Sequence, residues 1–82
     1  MKHELKILEN YAKRILSGQK DFEVRLNDRD YQKGDILVFT VIESDSGLRH
    51  PRYLKFEMKI KYIHTGLGMI DGYVILGLKE VE

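Results

Sequence analysis

The chain has 82 residues, with 14 basic and 13 acidic side chains, three histidines and no cysteine. That length fits one domain with a thin core, and the lack of cysteine excludes disulfides, thiolate nucleophiles and Cys-type zinc sites. The net charge of +1 is lower than is usual for a domain that grips long nucleic acid through many phosphates. No run of about 18 apolar residues is present to span a membrane, and Met1-Lys2-His3-Glu4-Leu5-Lys6 lacks the apolar run of a secretory signal, so a cytoplasmic location is expected.

Leu5 and Ile7 alternate with Glu4 and Lys6, which predicts a short strand over residues 2–8. Tyr11, Ala12, Ile15 and Leu16 then recur at helical spacing, with Lys13 and Arg14 placed to complement the dipole at the C-terminal end. Gly18 suits a left-handed stop, so a helix is expected over about 9–17. Phe22, Val24 and Leu26 alternate with Glu23, Arg25 and Asn27, the pattern of a strand with one apolar and one polar face. Asn27-Asp28-Arg29-Asp30 and Lys33-Gly34-Asp35 read as turns. Ile36 to Ile42 is apolar on both sides and reads as a buried strand.

Glu43 to Arg52, with Gly47 and the single proline Pro51, reads as a surface loop or hairpin tip. Leu54, Phe56, Met58, Ile60 and Tyr62 alternate with Lys55, Glu57, Lys59 and Lys61, which predicts a strand with Phe56 and Tyr62 in the core. Gly66-Leu67-Gly68 and Asp71-Gly72 bracket a short loop before a last strand from Tyr73 to Leu78, where Gly77 would allow a bend or bulge. The order β-α-β-β-β-β has too few helices for a doubly wound parallel sheet. A small, mainly β (α+β) barrel of about five strands in one domain is expected, with the helix between strands 1 and 2 plugging one end.

Two groups of residues bear on chemistry. Glu23, Arg25 and Asn27 project from one strand face at about 6.6–7 Å spacing, and Lys20 enters from the turn ahead of them. A carboxylate, a guanidinium, an amide and an ammonium in one row suit a planar polar ligand such as a base edge, or a phosphate. The bland alternative is an exposed ion pair contributing about 0–1 kcal/mol. Between Leu48 and Tyr62, Arg49, Arg52, Lys55, Lys59 and Lys61 face a single acid, Glu57. That stretch reads either as a solvated strand face or as a phosphate-facing patch. His3, His50 and His64 lack metal-ligand spacing, and Gly66-Leu67-Gly68 is too short for a dinucleotide fingerprint, so neither metal nor cofactor is expected.

The run Gly18-x-Lys20-x-x-Glu23-x-Arg25 resembles the G-x-K-x-x-E-x-R signature of ASCH domains, relatives of the PUA RNA-binding fold. The likeness extends through His3-Glu4-Leu5-Lys6-Ile7, Asn27-Asp28-Arg29, Gly34-Asp35-Ile36-Leu37 and Gly72-Tyr73-Val74-Ile75 to short bacterial and phage ASCH-like proteins of unassigned function. The resemblance implies a PUA-like barrel with a cleft between helix and barrel, lined by Gly18, Lys20, Glu23 and Arg25. His3, Asn27, Asp28 and Arg29 are further candidates.

It also implies a module that recognises RNA or a modified, nucleotide-like small molecule. Lys20 and Arg25 would meet phosphate or a carbonyl edge, Glu23 an exocyclic amine, and Tyr73 a stacked base. Some ASCH-like proteins are amidohydrolases that deacetylate N4-acetylcytidine with a Lys, a Thr three residues later and a Glu from a later strand. Lys20 fits that pattern, but Glu23 stands where the Thr would be, so in an enzyme Lys20 and Glu23 would have to carry the acid–base work. Nuclease action is a variant of that reading. A protein-interaction module using the helix or the strand at 53–63 is the third, although the lysines of that strand look more like edge protection.

Overall fold

The computed structural model describes residues 1–43 and 54–81. Its elements run β1 (Lys2–Leu8), α1 (Glu9–Leu16), β2 (Phe22–Leu26), β3 (Ile36–Ile42), β4 (Lys55–His64) and β5 (Tyr73–Glu80). The loop expected over Glu43 to Arg52, with Ser44, Ser46 and His50, lies outside the described residues beyond Glu43, as do Arg49 and Arg52 of the basic stretch.

The helix forms where the apolar spacing put it. Ala12 and Ile15 are buried, while Lys13 and Arg14 occupy the last turn. It ends at Gly18, whose φ of +81° is a conformation that costs a glycine nothing and a side-chain-bearing residue about 1 kcal/mol or more.

The five strands make one curled sheet in the order β1-β3-β4-β5-β2, a mainly β half-barrel with the helix between its first two strands. β1 pairs with β3 in parallel, and every other pairing is antiparallel. The edge strands β1 and β2 are therefore consecutive strands in the chain but lie at opposite ends of the sheet, and its curl brings them together across an open seam that Arg25 of β2 bridges to Lys6 of β1. β4 is the central strand, so the lysines along it do not protect an edge. Instead Lys55 approaches Glu4 at 3.7 Å and Lys61 approaches Asp21 at 3.4 Å, both on the outer surface.

Side chains alternating inward build the core. Leu37, Phe39 and Val41 from β3, Ile60 from β4 and Leu76 and Leu78 from β5 are buried against Leu5, Ile7, Ala12 and Ile15. β3 is buried on this face only. Ile36, Val38, Thr40 and Ile42 are half-buried, because the sheet's outer face carries no second layer among the described residues.

A bulge in β4 between Ile60 and Tyr62 interrupts the alternation. Before it Met58 and Ile60 point inward; after it Ile63 does so, and Tyr62 is turned outward to 46% exposure, not into the core as its place in the pattern predicts. Its ring lies against Gly77 on β5, where any Cβ would collide with it. Phe56 packs against the core beside Phe39, with ring centroids 5.1 Å apart.

Candidate functional site

Alternation along β2 is as the sequence predicts, and it is the polar side that turns inward. Phe22, Val24 and Leu26 are 38%, 47% and 49% exposed, whereas Glu23 is 6% exposed. A period of two separates the faces of a strand without saying which one is interior. Turning Glu23 inward requires partners, since an unpaired buried carboxylate is strongly disfavoured. It has two. Lys20 Nζ donates to Oε1 at 3.3 Å, while Arg25 donates to Oε2 from Nε at 3.1 Å and from Nη2 at 2.9 Å. The exposed ion pair considered from sequence is thus a buried carboxylate clamped by two cations.

The turn after α1 positions the first cation. Lys20 N donates to Arg14 O at 3.0 Å, and Nζ lies 4.5 Å from the centroid of Tyr11 and 5.2 Å from that of Phe22. Tyr11 is therefore a wall of the site rather than simple helix packing. Arg25 is the second cation, and it also crosses the seam: Nη2 donates to the main-chain carbonyl of Lys6 at 2.6 Å.

Glu23, Arg25, Tyr11, Tyr73, Lys6 and Leu8 border a cleft of about 370 Å³ between helix and sheet. Tyr73, 37% exposed, presents a ring beside the cluster. Of the sequence candidates, Glu23, Arg25 and Tyr73 meet here, Lys20 stands behind Glu23, and Gly18 sets the turn. Asn27 does not line this cleft. Its Oδ1 accepts from Tyr31 N at 3.3 Å and its own N–H donates to Gly72 O at 2.7 Å, which ties the turn after β2 to β5. Asp28 is exposed, 4.0 Å from Arg29, and Arg29 borders a neighbouring cavity on the far side of Arg25.

His3 belongs to a different group. It is buried, and its Nε2 lies 2.7 Å from Asp35 Oδ2, which also accepts from Gln32 N at 3.0 Å. Tyr31 packs edge-on to the imidazole at 4.9 Å. The His3 hydrogen bond holds the Asp35 carboxyl below the ordinary carboxylate range, against the effect of its burial, and the Gln32 N–H adds to it. Burial pushes the Tyr31 phenol above its ordinary value, although the charges of Arg25 and Arg29 oppose the shift. Tyr31 and Asp35 are missed from sequence because the parallel register of β1 on β3 brings His3 alongside Leu37, and no local pattern carries that register.

Among the described residues no group of three or more His, Asp or Glu side chains is arranged to hold a metal ion, and no helix is long and apolar enough to cross a membrane. The family model described as Domain of unknown function (DUF3850) matches residues 2–78, which takes in the helix, the first four strands and most of β5. No curated protein matches the chain.

Proposed function

We propose, for a chain that belongs to the family described as Domain of unknown function (DUF3850), that the Glu23 cleft recognises a base of RNA or a modified nucleotide, in a barrel of the ASCH, PUA-like type. The observation that carries this reading is a carboxylate 6% exposed, fixed by two cations, at the border of a cleft that also has aromatic walls. A carboxylate offers about four acceptor positions, and Lys20 and Arg25 occupy three of them, one on Oε1 and two on Oε2. Oε1 keeps an acceptor position, and Arg25 Nη1 makes none of the bonds to Glu23 or Lys6. An acceptor beside a donor matches a base edge that presents an exocyclic amine next to a ring acceptor or carbonyl, as cytosine does. Tyr73 and Tyr11 supply faces for stacking, worth roughly 1–3 kcal/mol per base. A cytoplasmic location accords with this reading and with the cysteine-free sequence.

The test is titration of labelled single-stranded RNA into folded protein at low and high salt, with cytidine-containing and cytidine-free oligonucleotides compared. Binding that favours cytidine and persists at high salt is the expected result. Absence of binding at both salts overturns the reading. Release of cytidine from N4-acetylcytidine would make Lys20 and Glu23 an acid–base pair, and cleavage of the RNA would make the protein a nuclease.

A further inference from the structure

Arg25 divides the seam between β1 and β2. Beyond it, away from the Glu23 cleft, lies a second cavity of about 480 Å³ bordered by Glu4, Lys6, Arg25, Arg29, Thr40 and Lys55. The strand register builds one wall of it. Lys6 pairs with Thr40, and Thr40 pairs with Lys55, so an ammonium, a hydroxyl and an ammonium stand in one row across three adjacent strands. Paired positions share a face and neighbouring strands are about 4.8 Å apart. The two guanidiniums close the row from the β2 side.

Among the described residues, four cations and the Glu4 carboxylate border the cavity and leave +3, which falls to +1 when Glu23 behind Arg25 and Asp28 beside Arg29 are counted. Glu4 lies 3.7 Å from Lys55, and its side chain is 78% exposed. A metal cation is disfavoured by this charge. A planar carboxylate would use one fork, whereas donors arriving from β1, β3, β4 and the β2 side suit a tetrahedral group with three peripheral oxygens.

We propose that this cavity is a phosphate-binding site, built on the Lys6–Thr40–Lys55 row and capped by Arg25 and Arg29. Its charge and geometry stand apart from the reading of the cleft, although a nucleotide whose base lay beside Glu23 would place its phosphate here, with Arg25 between the two.

The experiment compares cytidine, cytidine 5′-monophosphate and inorganic phosphate by calorimetric titration against the wild type, Arg29→Gln and Lys55→Gln. Both substituted side chains are partly exposed, and circular dichroism verifies the fold of each variant. The monophosphate is expected to bind about tenfold or more tightly than cytidine, and each variant to lose most of that advantage while binding cytidine as before. Inorganic phosphate that binds as tightly as the monophosphate, and is lost in the variants, supports the site with free phosphate as its source. Phosphate binding without any cytidine binding supports this site and overturns the base-recognition reading. A monophosphate no tighter than cytidine, or an advantage that survives both substitutions, overturns the phosphate site.

Discussion

Arg25 of β2 is hydrogen-bonded through Nη2 to the main-chain carbonyl of Lys6 in β1, at 2.6 Å, while the same guanidinium holds Glu23. The two residues belong to opposite edges of one sheet. Elsewhere neighbouring strands are joined by backbone ladders; here a side chain spans the gap. The same atoms that fix the carboxylate of the cleft also hold the half-barrel's edges together, so binding and stability are coupled at one residue.

Arg25→Lys keeps the charge but not the fork, and one ammonium cannot reproduce the three bonds to Glu23 and Lys6. A loss of about 1–3 kcal/mol is expected, in line with hydrogen bonds to charged groups. Urea unfolding of the variant beside the wild type measures it. Equal midpoints and slopes would show that the bond across the seam contributes nothing.

The His3–Asp35 pair predicts an acid limb of stability. The folded Asp35 carboxyl lies below its unfolded value, so its contribution is fully present above the unfolded value of about 4 and is lost as pH falls through the lower folded value. Wild-type stability should therefore fall as the pH drops below about 4. Asp35→Asn should be less stable at neutral pH and show a shallower decline over the same window. Chemical denaturation across a pH series checks both, and parallel curves would refute the assignment.

Gly77→Ala places a methyl group inside the ring of Tyr62. The ring must leave its position against β5, and overpacking of this kind costs about 1–3 kcal/mol. Tyr62→Ala in the same chain should restore part of the loss, since the collision is with that one side chain. A double-mutant cycle in thermal unfolding measures the coupling, and additive effects would show that the contact is not the cause.

The orientation of β2 is open to a direct comparison. Val24→Lys on the outward face should change stability by no more than about 0.5 kcal/mol. Glu23→Gln, one position earlier, leaves Lys20 and Arg25 without their shared anion and should cost about 2–4 kcal/mol. The reverse ranking in urea unfolding would mean that the strand's apolar side faces the interior.

Local periodicity made the helix, the strands and their order legible, because each depends on neighbours two to four residues away. It also located Lys20, Glu23 and Arg25 as a group. Three things lay outside its reach. The inward turn of Glu23 depends on cations that come from a turn and from the strand's own next inward position. The outward turn of Tyr62 depends on a bulge opposite Gly77. The central place of β4, and the meeting of His3 with Asp35, depend on which strands pair, and pairing is a property of the whole chain.

The strand order has a consequence for how the cleft comes into being during synthesis. β2 is made early, yet its strand partner is β5, the last strand to emerge. Until β5 arrives, the residues around Glu23 have no ladder to join, and contacts between segments so far apart in sequence form slowly. A premature stop within β5 would leave every cleft-lining residue from β1, α1 and β2 in the chain and still remove the cleft, because the strand that carries Glu23 and Arg25 would have nothing to pair with.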